Sequence, residues 1–254
     1  MNMRNKTSEQ EGGGSLPYSE KYENPFFIEK YVALWAYGYK NGIGYSEGLY
    51  RTINELGFTY FEQNGNYKIL DIGCGIGRTS ADYAKFFNKS EVVGIDNARL
   101  MIDMACRLHF MEDDIVFDMS RVGFGKLKIK GEKIGNLQFH HLGLDEFYIK
   151  TAKEDFDIIT AVNIIDRVYD IKNVLDSMHN LLKKSGILIL STPLNFTNVQ
   201  DWNSYGSYKS FVGLIRESGF LADVAFDNFM YKEILDNRGA IEEYPTIIMR
   251  LKKI

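Results

Sequence analysis

The sequence predicts an α/β fold in which a mostly parallel β-sheet carries helices on both faces. From residue 67 onward, short apolar runs that end in glycine or aspartate alternate with segments of helical periodicity. This alternation is typical of strand–helix units that build a parallel sheet. The last two apolar runs, "LADVAFDNFMY" and "PTIIMRLKKI", have no long helix between them. They therefore predict an antiparallel pair at one edge of the sheet.

The length and composition favour one large α/β domain, or one domain with an added cap. The chain has 254 residues, of which 45% are hydrophobic, and this is enough for a sizeable core. A net charge of −4 argues against a nucleic-acid partner, because nucleic-acid-binding surfaces carry a basic excess. No apolar run approaches the roughly 20 residues that span a bilayer, and the start of the chain lacks the apolar region of a signal peptide. Two cysteines fit a reducing compartment, so we expect a cytoplasmic protein with no membrane partner.

Three regions follow one another along the chain. Residues 1–16 are polar and glycine-rich, which predicts a flexible tail. Residues 17–66 are expected to form a helical cap, because "NPFFIEKYVALWAYGYK" and "SEGLYRTINELGFTYF" space their apolar residues as helices do, with Ser46 as a candidate N-cap. Residues 67–254 are the expected core. A charged, glycine-containing stretch at about residues 111–135 predicts a hairpin or loop insertion in that core.

Within the core, each element is predicted from its own stretch of sequence. The first strand and helix are "YKILDIG" and "RTSADYAKFF", and the second pair is "EVVGID" and "ARLMIDMACRLHF". After the insertion, "LQFHHLGL" and "FDIITAVN" are predicted strands, and "IKNVLDSMHNLLKKSG" is a predicted helix that ends at Gly186. The strand "ILILSTP", which Pro193 stops, and the helix "SYKSFVGLIRESGF" precede the antiparallel pair.

The stretch "DIGCGIGR" carries the strongest functional signal. It follows the first core strand and contains Asp71, Gly73, Gly75 and Gly77, at the sheet edge where ligands bind in open α/β folds. Spaced glycines permit a sharp turn and leave no Cβ in the way of a ligand, although a tight turn without a ligand is the alternative. The spacing is neither the dinucleotide fingerprint nor a P-loop. Asp96 ends the second strand in "VVGID", where such folds place a carboxylate against a ribose.

These features resemble the class I S-adenosylmethionine-dependent methyltransferases over residues 67–254, with "LDIGCGIGR…VVGID" as the most specific part. The resemblance implies a Rossmann-like sheet of seven strands with an antiparallel last strand, and S-adenosyl-L-methionine as the cofactor. It also implies that the loop at residues 71–77 lies along the methionine part of the cofactor and that Asp96 holds the ribose. The residues expected to bind the cofactor are Asp71, Gly73, Cys74, Gly75, Gly77, Arg78, Asp96, Asn97, Gly143, Leu144 and Asn163.

The expected adenine contact departs from the family pattern. Many members carry an acidic residue after the third strand, beside the adenine. In this chain "HHLGLDEF" puts Leu142 and Gly143 at that place, with Asp145 two residues later as a candidate substitute.

The stretch "AVNIIDRVYD" after the fourth strand supplies the candidate catalytic residues, Asn163 and Asp166. By the resemblance, Asn163 falls where a side chain faces the cofactor and the acceptor. Two interpretations of Asp166 and Arg167 stay open. They form a local cap or ion pair, or they orient a charged acceptor, as arginine does well with carboxylates.

The segment "NIIDR" also resembles "NLIDR" in the methyltransferase domain that ends ovothiol biosynthesis, which methylates an imidazole nitrogen of a thiolated histidine. The tail "YKEILDNRGAIEEY" lacks the histidine and several basic residues of that domain. The resemblance therefore implies in-line methyl transfer to a nitrogen of a small acceptor that is histidine-like or otherwise derived from an amino acid. Methylation of an oxygen or sulfur in a natural-product intermediate is the alternative, as is a protein that binds the cofactor without catalysis.

Aromatic residues near the ligand-binding edge are candidates for enclosing a small-molecule acceptor. The predicted acceptor-binding residues are Tyr37, Tyr39 and Tyr45 in the cap, together with Arg167, Trp202, Phe229 and Tyr231. Aromatic rings suit a flat or cationic acceptor, and ordinary packing onto the sheet is the alternative. No metal-ligand spacing is evident, so no metal site is predicted.

Overall fold

Strands and helices alternate along the computed structural model, which describes residues 22–25, 28–29, 31–32, 46–118, 120, 125–151, 153, 155–234 and 241–254. The strands are β1 (Lys68–Ile72), β2 (Glu91–Asp96), β3 (Asp114–Asp118), β4 (Lys126–Lys130), β5 (Leu137–His141), β6 (Phe156–Val162), β7 (Leu182–Thr192), β8 (Phe220–Ile234) and β9 (Ile241–Lys253). From Ser46 onward, the α-helices are α1 (Glu47–Phe58), α2 (Arg78–Phe86), α3 (Arg99–Phe110), α4 (Leu144–Lys150), α5 (Ile171–Leu181), α6 (Val199–Tyr205) and α7 (Tyr208–Glu217). No helix among these is long and apolar enough to cross a bilayer.

Seven strands form one sheet in the order β5-β2-β1-β6-β7-β9-β8. The pairs from β5 to β7 are parallel, whereas β9 runs antiparallel to both β7 and β8. The order reverses between β1 and β6, so the carboxyl ends of β1, β2 and β6 meet at a switch point where a crevice opens. The predicted seven-stranded, mostly parallel sheet with an antiparallel last strand is confirmed.

Helices cover both faces of this sheet because alternate residues of the central strands point to opposite faces. Leu70 of β1 belongs to an apolar cluster that α5 and α7 complete with Leu175 and Phe211. Its neighbour Ile69 belongs to a second cluster, which α1 and α2 complete with residues such as Ile53. Strands buried on both faces read as continuous apolar runs, and this is why "KILDI" and "FDIITAV" were recognisable in the sequence.

The helix predicted to end at Gly186 ends earlier, at Leu181, where β7 begins. Leu182 is completely buried and pairs with Phe156 of β6, so burial of this residue in the sheet prevails over the helical periodicity. Gly186 lies inside the strand, where a Cβ atom would come within 2.9 Å of the carbonyl oxygen of Asp157. The glycine therefore allows a close approach of two backbones and does not end a helix.

The insertion predicted at about residues 111–135 is a separate antiparallel hairpin, β3–β4. Its inward residues, which include Phe117 and Ile129, pack in an apolar cluster with helix α3. Ile28 and Val32 from the predicted cap belong to the same cluster. The rest of the cap before Ser46 is described only in part, and the predicted tail at residues 1–16 lies outside the described residues.

The β8–β9 hairpin extends beyond the sheet. The β7–β9 pairing stops at Thr192 and Ile247, but β8 and β9 stay paired as far as Ile234 and Ile241. Because β7 is parallel to β1 and β6, this overhang projects from the edge where the carboxyl ends of those strands lie. The overhang therefore forms part of the wall of the crevice.

Candidate functional site

A cavity of about 420 Å³ lies at the carboxyl ends of β1, β2 and β6. Many of the predicted site residues line it: Asp71, Gly73, Cys74, Gly75, Arg78, Asp96, Asn97, Gly143, Leu144, Asn163, Asp166, Arg167 and Tyr231. The fold therefore brings together residues that lie far apart in the sequence. What each of them can do depends on its contacts.

Three glycines of the loop after β1 adopt left-handed backbone conformations, with φ angles of +67° at Gly73, +55° at Gly75 and +80° at Gly77. A Cβ atom at Gly73 would lie 2.4 Å from Ile164, and one at Gly77 would lie 2.4 Å from Phe139. A Cβ atom at Gly75 would meet nothing within 4 Å. Gly73 and Gly77 thus permit close packing, whereas Gly75 presents bare backbone to the cavity.

Asp71, at the start of the glycine loop, connects β1 to the neighbouring strand and helix. One carboxylate oxygen accepts a hydrogen bond of 2.6 Å from the Ser80 hydroxyl on α2, and the other accepts one of 2.7 Å from the Thr160 hydroxyl on β6. All three side chains are buried. Burial raises the pKa of Asp71 to about 6 despite these two bonds. Although Asp71 borders the cavity, its polar contacts join β1, β6 and α2.

Asp96 holds the two loops at the cavity edge together. Its Oδ2 atom accepts a hydrogen bond of 2.9 Å from the backbone N–H of Gly75, and its Oδ1 atom accepts one of 2.8 Å from Ala98. Burial raises the pKa of this carboxyl group, against the effect of the two backbone donors. A carboxylate has about four lone-pair sites, so both oxygens retain capacity to accept hydrogen bonds from a ligand.

Asn163 adopts a left-handed backbone conformation with φ at +53°, which asparagine tolerates better than most residues. The Ser191 hydroxyl donates a hydrogen bond of 2.8 Å to its Oδ1 atom. The Asn163 backbone N–H donates to the Ser191 carbonyl oxygen at 2.9 Å. Since Oδ1 is an acceptor here, the orientation of the amide is defined, and its NH₂ group is the side that can donate to a ligand in the cavity.

Asp166, predicted as catalytic, is among the residues that border the cavity, but its side chain is buried. Its side chain is 0% exposed, and its nearest charged neighbour is the Nε atom of Arg167 at 3.4 Å. Neither carboxylate oxygen has a hydrogen-bond partner of good geometry among the described residues. A group that a ligand cannot touch does not act as its base in this conformation. The structure therefore favours the ion-pair interpretation, in which Asp166 positions Arg167, whose side chain is 24% exposed.

The burial of Asp166 predicts a pH-dependent stability. Burial raises its pKa from 3.8 to about 6, and Arg167 offsets this only in part. A carboxyl group whose pKa is higher in the folded state stabilises the fold below about pH 4, and that contribution is lost as the pH rises through 6. Asp166→Asn cannot ionise, so the difference in Tm between variant and wild type should increase in the variant's favour from pH 4.5 to 7.5. Thermal denaturation at several pH values, with Asp176→Asn on the exposed face of α5 as the control, measures this. A pH-independent difference would contradict the assignment.

Arg78 connects the glycine loop to the cap helix α1. Its Nη2 atom lies 2.5 Å from the Glu47 carboxylate, its Nη1 atom donates to the Ser46 hydroxyl at 3.3 Å, and its guanidinium lies 4.0 Å above the Tyr50 ring. The predicted N-cap Ser46 thus begins α1 without capping it, since its side chain makes no capping bond. Arg78 is buried, and its Nε atom has no described hydrogen-bond partner. Arg78 borders the cavity, and its positive charge is already paired with the Glu47 carboxylate.

Five tyrosines, which we call the tyrosine wall, also border the cavity together with Glu233. They are Tyr22, Tyr31, Tyr50, Tyr231 and Tyr244. Of these residues, only Tyr231 was predicted. Tyr22, Tyr31, Tyr50 and Tyr244 come from other parts of the chain and carry no local pattern, so only the long-range pairing of β8 with β9 and the packing of the cap reveal them. The alternation of Tyr231 and Glu233 along one strand is the one signal that the sequence offered.

Several predicted residues lie elsewhere. Trp202 on α6 is 51% exposed and does not border the cavity. Phe229 packs beside Gly48 of α1, so it contributes to the core. Asp145, the substitute for the adenine contact, is exposed and accepts a hydrogen bond of 3.3 Å from Asn173. Gly77 shapes the loop without lining the cavity, and Tyr37, Tyr39 and Tyr45 lie outside the described residues.

Known methyltransferases resemble this chain in sequence. A family model described as a methyltransferase domain matches residues 63–239. The ubiquinone biosynthesis O-methyltransferase of Histophilus somni is 30% identical over 155 residues, which cover 57% of this chain and 56% of that protein. The enzyme of the same name from Bartonella quintana is 30% identical over 141 residues, which cover 56% of this chain and 45% of that protein. The chain thus matches about half the length of these curated relatives.

Solved structures show the same fold. A TehB-like S-adenosylmethionine-dependent methyltransferase from Corynebacterium glutamicum is similar with a TM-score of 0.57 and 18% identity, over 91% of this chain and all of that one. An S-adenosylmethionine-dependent methyltransferase from Mesorhizobium loti has a TM-score of 0.53 and 14% identity, over 82% of this chain and 97% of that one. At these identities the likeness concerns the fold alone.

Proposed function

This chain belongs to the methyltransferase domain family and uses S-adenosyl-L-methionine, and we propose that it transfers the cofactor's methyl group to a small molecule held in the cavity. The observation that carries the proposal is one cavity bordered by both the glycine loop with Asp96 and the tyrosine wall. A cavity bordered on both sides can align two small reactants, and closure of the cap over it would exclude water, as in-line displacement requires.

The residues at the loop suit the cofactor. Bound S-adenosylmethionine supplies an electrophilic methyl group on a sulfonium sulfur. The open side of Gly75 leaves room for a ligand to approach the backbone, and we propose that the methionine part lies there. The remaining acceptor capacity of Asp96 suits the two ribose hydroxyl groups. Asn97, Gly143 and Leu144 border the same cavity, and we propose that they lie near the nucleoside.

The cap is proposed to close over the cavity. The Arg78–Glu47 ion pair attaches α1 to the glycine loop, and Ile28 and Val32 pack on α3 and the β3–β4 hairpin through a shared cluster. These contacts support the division predicted from the sequence, with the cap at residues 17–66 and the core at residues 67–254. Asn163 and Arg167 border the cavity where β6 ends, and we propose that they position the acceptor.

The acceptor atom has two candidates. The relatives from Histophilus somni and Bartonella quintana are named O-methyltransferases, which favours a hydroxyl oxygen. The buried position of Asp166 favours the second candidate, a neutral ring nitrogen, because such a nitrogen has a lone pair and requires little base assistance. The nitrogen predicted from the resemblance of "NIIDR" therefore stays a prediction beside the oxygen.

Two measurements, made one after the other, test the proposed function. Calorimetric titration with S-adenosylhomocysteine, with NADH as the control, should show binding of the former alone. Transfer of a labelled methyl group from S-adenosylmethionine to a panel of phenols, imidazoles and amines should then identify the acceptor atom. Cofactor binding without transfer to any acceptor would favour a non-catalytic role, and failure to bind S-adenosylhomocysteine would overturn the proposal.

Asn163→Gly should lower kcat by about tenfold, the equivalent of roughly 1.4 kcal/mol from one lost hydrogen bond in the transition state. Glycine accepts the left-handed backbone at this position, so the loss of the amide is separated from backbone strain. The affinity for S-adenosylhomocysteine should change much less. Steady-state kinetics and calorimetry measure the two effects, and an unchanged kcat would remove Asn163 from the acceptor site.

A further inference from the structure

The loops that follow β6 and β7 each contain a residue with a left-handed backbone. These residues, Asn163 and Leu194, both have φ at +53°, and they alone combine a side chain with a positive φ angle in the part of the chain that the structure describes. Adjacent hydroxyl groups at the end of β7 contact both of them. Ser191 bonds to Asn163, and the Thr192 hydroxyl accepts a hydrogen bond of 3.0 Å from the Leu194 backbone N–H. Such a backbone persists only where its surroundings fix it, so the end of β7 holds both loops.

Packing accounts for the conformation of Leu194 but not for that of Asn163. The Leu194 side chain is buried in the apolar cluster on one face of the sheet, whereas Asn163 borders the cavity. The Oδ1 atom of Asn163 accepts a hydrogen bond from Ser191, but its Nδ2 atom has no hydrogen-bond partner among the described residues. This nitrogen is also not fully buried. A strained backbone thus presents an accessible and unused donor to the cavity.

The proton of the Ser191 hydroxyl determines which side of the Asn163 amide faces the cavity. Ser191 is completely buried, and its Oγ atom accepts a hydrogen bond of 3.2 Å from the Asn163 backbone N–H. The hydroxyl proton is donated to Asn163 Oδ1 at 2.8 Å. If the amide were rotated by half a turn, Nδ2 would face the hydroxyl, and the buried proton would lose this acceptor. An unsatisfied buried donor is costly, so the rotated amide should be less populated by about tenfold or more.

We propose that Ser191 is a positioning residue for methyl transfer, whose hydroxyl holds the Asn163 amide with its NH₂ group toward the acceptor. Ser191 does not border the cavity, so it acts through Asn163 alone. This inference rests on the proposed function, in which Asn163 positions the acceptor, and adds the residue that fixes Asn163. A donor that is already oriented before the acceptor binds needs no reorganisation during the reaction. The acceptor molecule therefore presents to Asn163 a lone pair other than the one that attacks the methyl group.

Nuclear magnetic resonance measures the orientation of the amide without any acceptor. In protein with ¹⁵N-labelled asparagine, saturated with S-adenosylhomocysteine, the Asn163 NH₂ signal is the one that Asn163→Gly removes. Its order parameter should fall from about 0.8 in the wild type to below about 0.6 in Ser191→Ala. Ser90→Ala is the matched control. Ser90 is also buried, accepts a hydrogen bond from the Tyr67 backbone and donates one to Gly65, but it precedes β2, at the opposite end of the sheet from the cavity.

Kinetics with the acceptor found in the panel of phenols, imidazoles and amines measure the consequence for turnover. Ser191→Ala should lower kcat by about fivefold, since one hydrogen bond that orients the amide is lost. In the Asn163→Gly background the same substitution should change kcat by less than about twofold, because no amide remains to be positioned. Ser90→Ala should leave kcat unchanged in both backgrounds. A general effect of Ser191 on the fold would instead lower kcat equally with and without the amide.

The outcomes distinguish a failure of this inference from a failure of the proposed function. Each variant is first titrated with S-adenosylhomocysteine, and unchanged affinity shows that the fold and the cofactor site are intact. An unchanged order parameter in Ser191→Ala, an unchanged kcat, or a fivefold loss that persists without the Asn163 amide would overturn the positioning role while the proposed function stands. Failure of the wild type to bind S-adenosylhomocysteine would instead overturn the proposed function.

Discussion

Asp96→Ala is expected to weaken the binding of S-adenosylhomocysteine by about 100-fold while the protein stays folded. In the proposed site, this carboxylate accepts charge-assisted hydrogen bonds from the ribose hydroxyl groups. The loss of two such bonds costs roughly 3 kcal/mol, which corresponds to about 100-fold in affinity. The substitution also removes the acceptor for the backbone N–H groups of Gly75 and Ala98, so the loop is less well ordered before the ligand binds.

Calorimetry on the wild type and two variants measures this effect. Asp103→Ala is the matched control, because Asp103 is an exposed aspartate on helix α3, and its nearest cation is Arg99 at 3.8 Å. The control should bind with wild-type affinity. Circular dichroism establishes that the Asp96 variant is folded. Wild-type affinity in a folded Asp96→Ala protein would remove Asp96 from the ribose site.

Asp71→Ala is expected to lower the free energy of unfolding by about 4 kcal/mol. The substitution removes two hydrogen bonds to a charged acceptor and leaves the hydroxyl groups of Ser80 and Thr160 buried without it. A stranded buried hydroxyl costs about 1–3 kcal/mol. Denaturant unfolding of the wild type and the variant measures the difference. A loss below about 1 kcal/mol would show that the three-residue network contributes little.

A multiple-mutant comparison separates this network from simple loss of volume. If stranded hydroxyls cause the loss, Ser80→Ala and Thr160→Val should add little in the Asp71→Ala background, although each is destabilising in the wild type. Strict additivity of the three substitutions would contradict the network, because residues that share hydrogen bonds are energetically coupled. Asp71→Asn, which keeps one acceptor oxygen, should lie between the wild type and the alanine variant.

Much of the fold could be predicted from local sequence. The strands β1 and β6 are buried on both faces, and their near-continuous apolar runs are distinctive. The loop after β1 needs glycine at residues 73, 75 and 77 because of its left-handed backbone and close contacts. The glycines in the sequence are therefore enough to predict this loop. The end of α5 was mispredicted because the residues from Leu182 onward suit a helix locally, and only their burial beside β6 makes them a strand.

Some residues of the candidate site could likewise be predicted from local sequence, and others could not. By itself, the sequence determined the glycine loop, Asp96 at the end of the next strand and the family to which they point, because neighbouring residues with fixed spacing carry that information. Only the tertiary structure decided that the side chain of Asp166 is buried beside the partly exposed Arg167 and that tyrosines from distant segments border one cavity. The physical reason is that burial and cross-strand register depend on contacts between residues far apart in the chain, which no local pattern records.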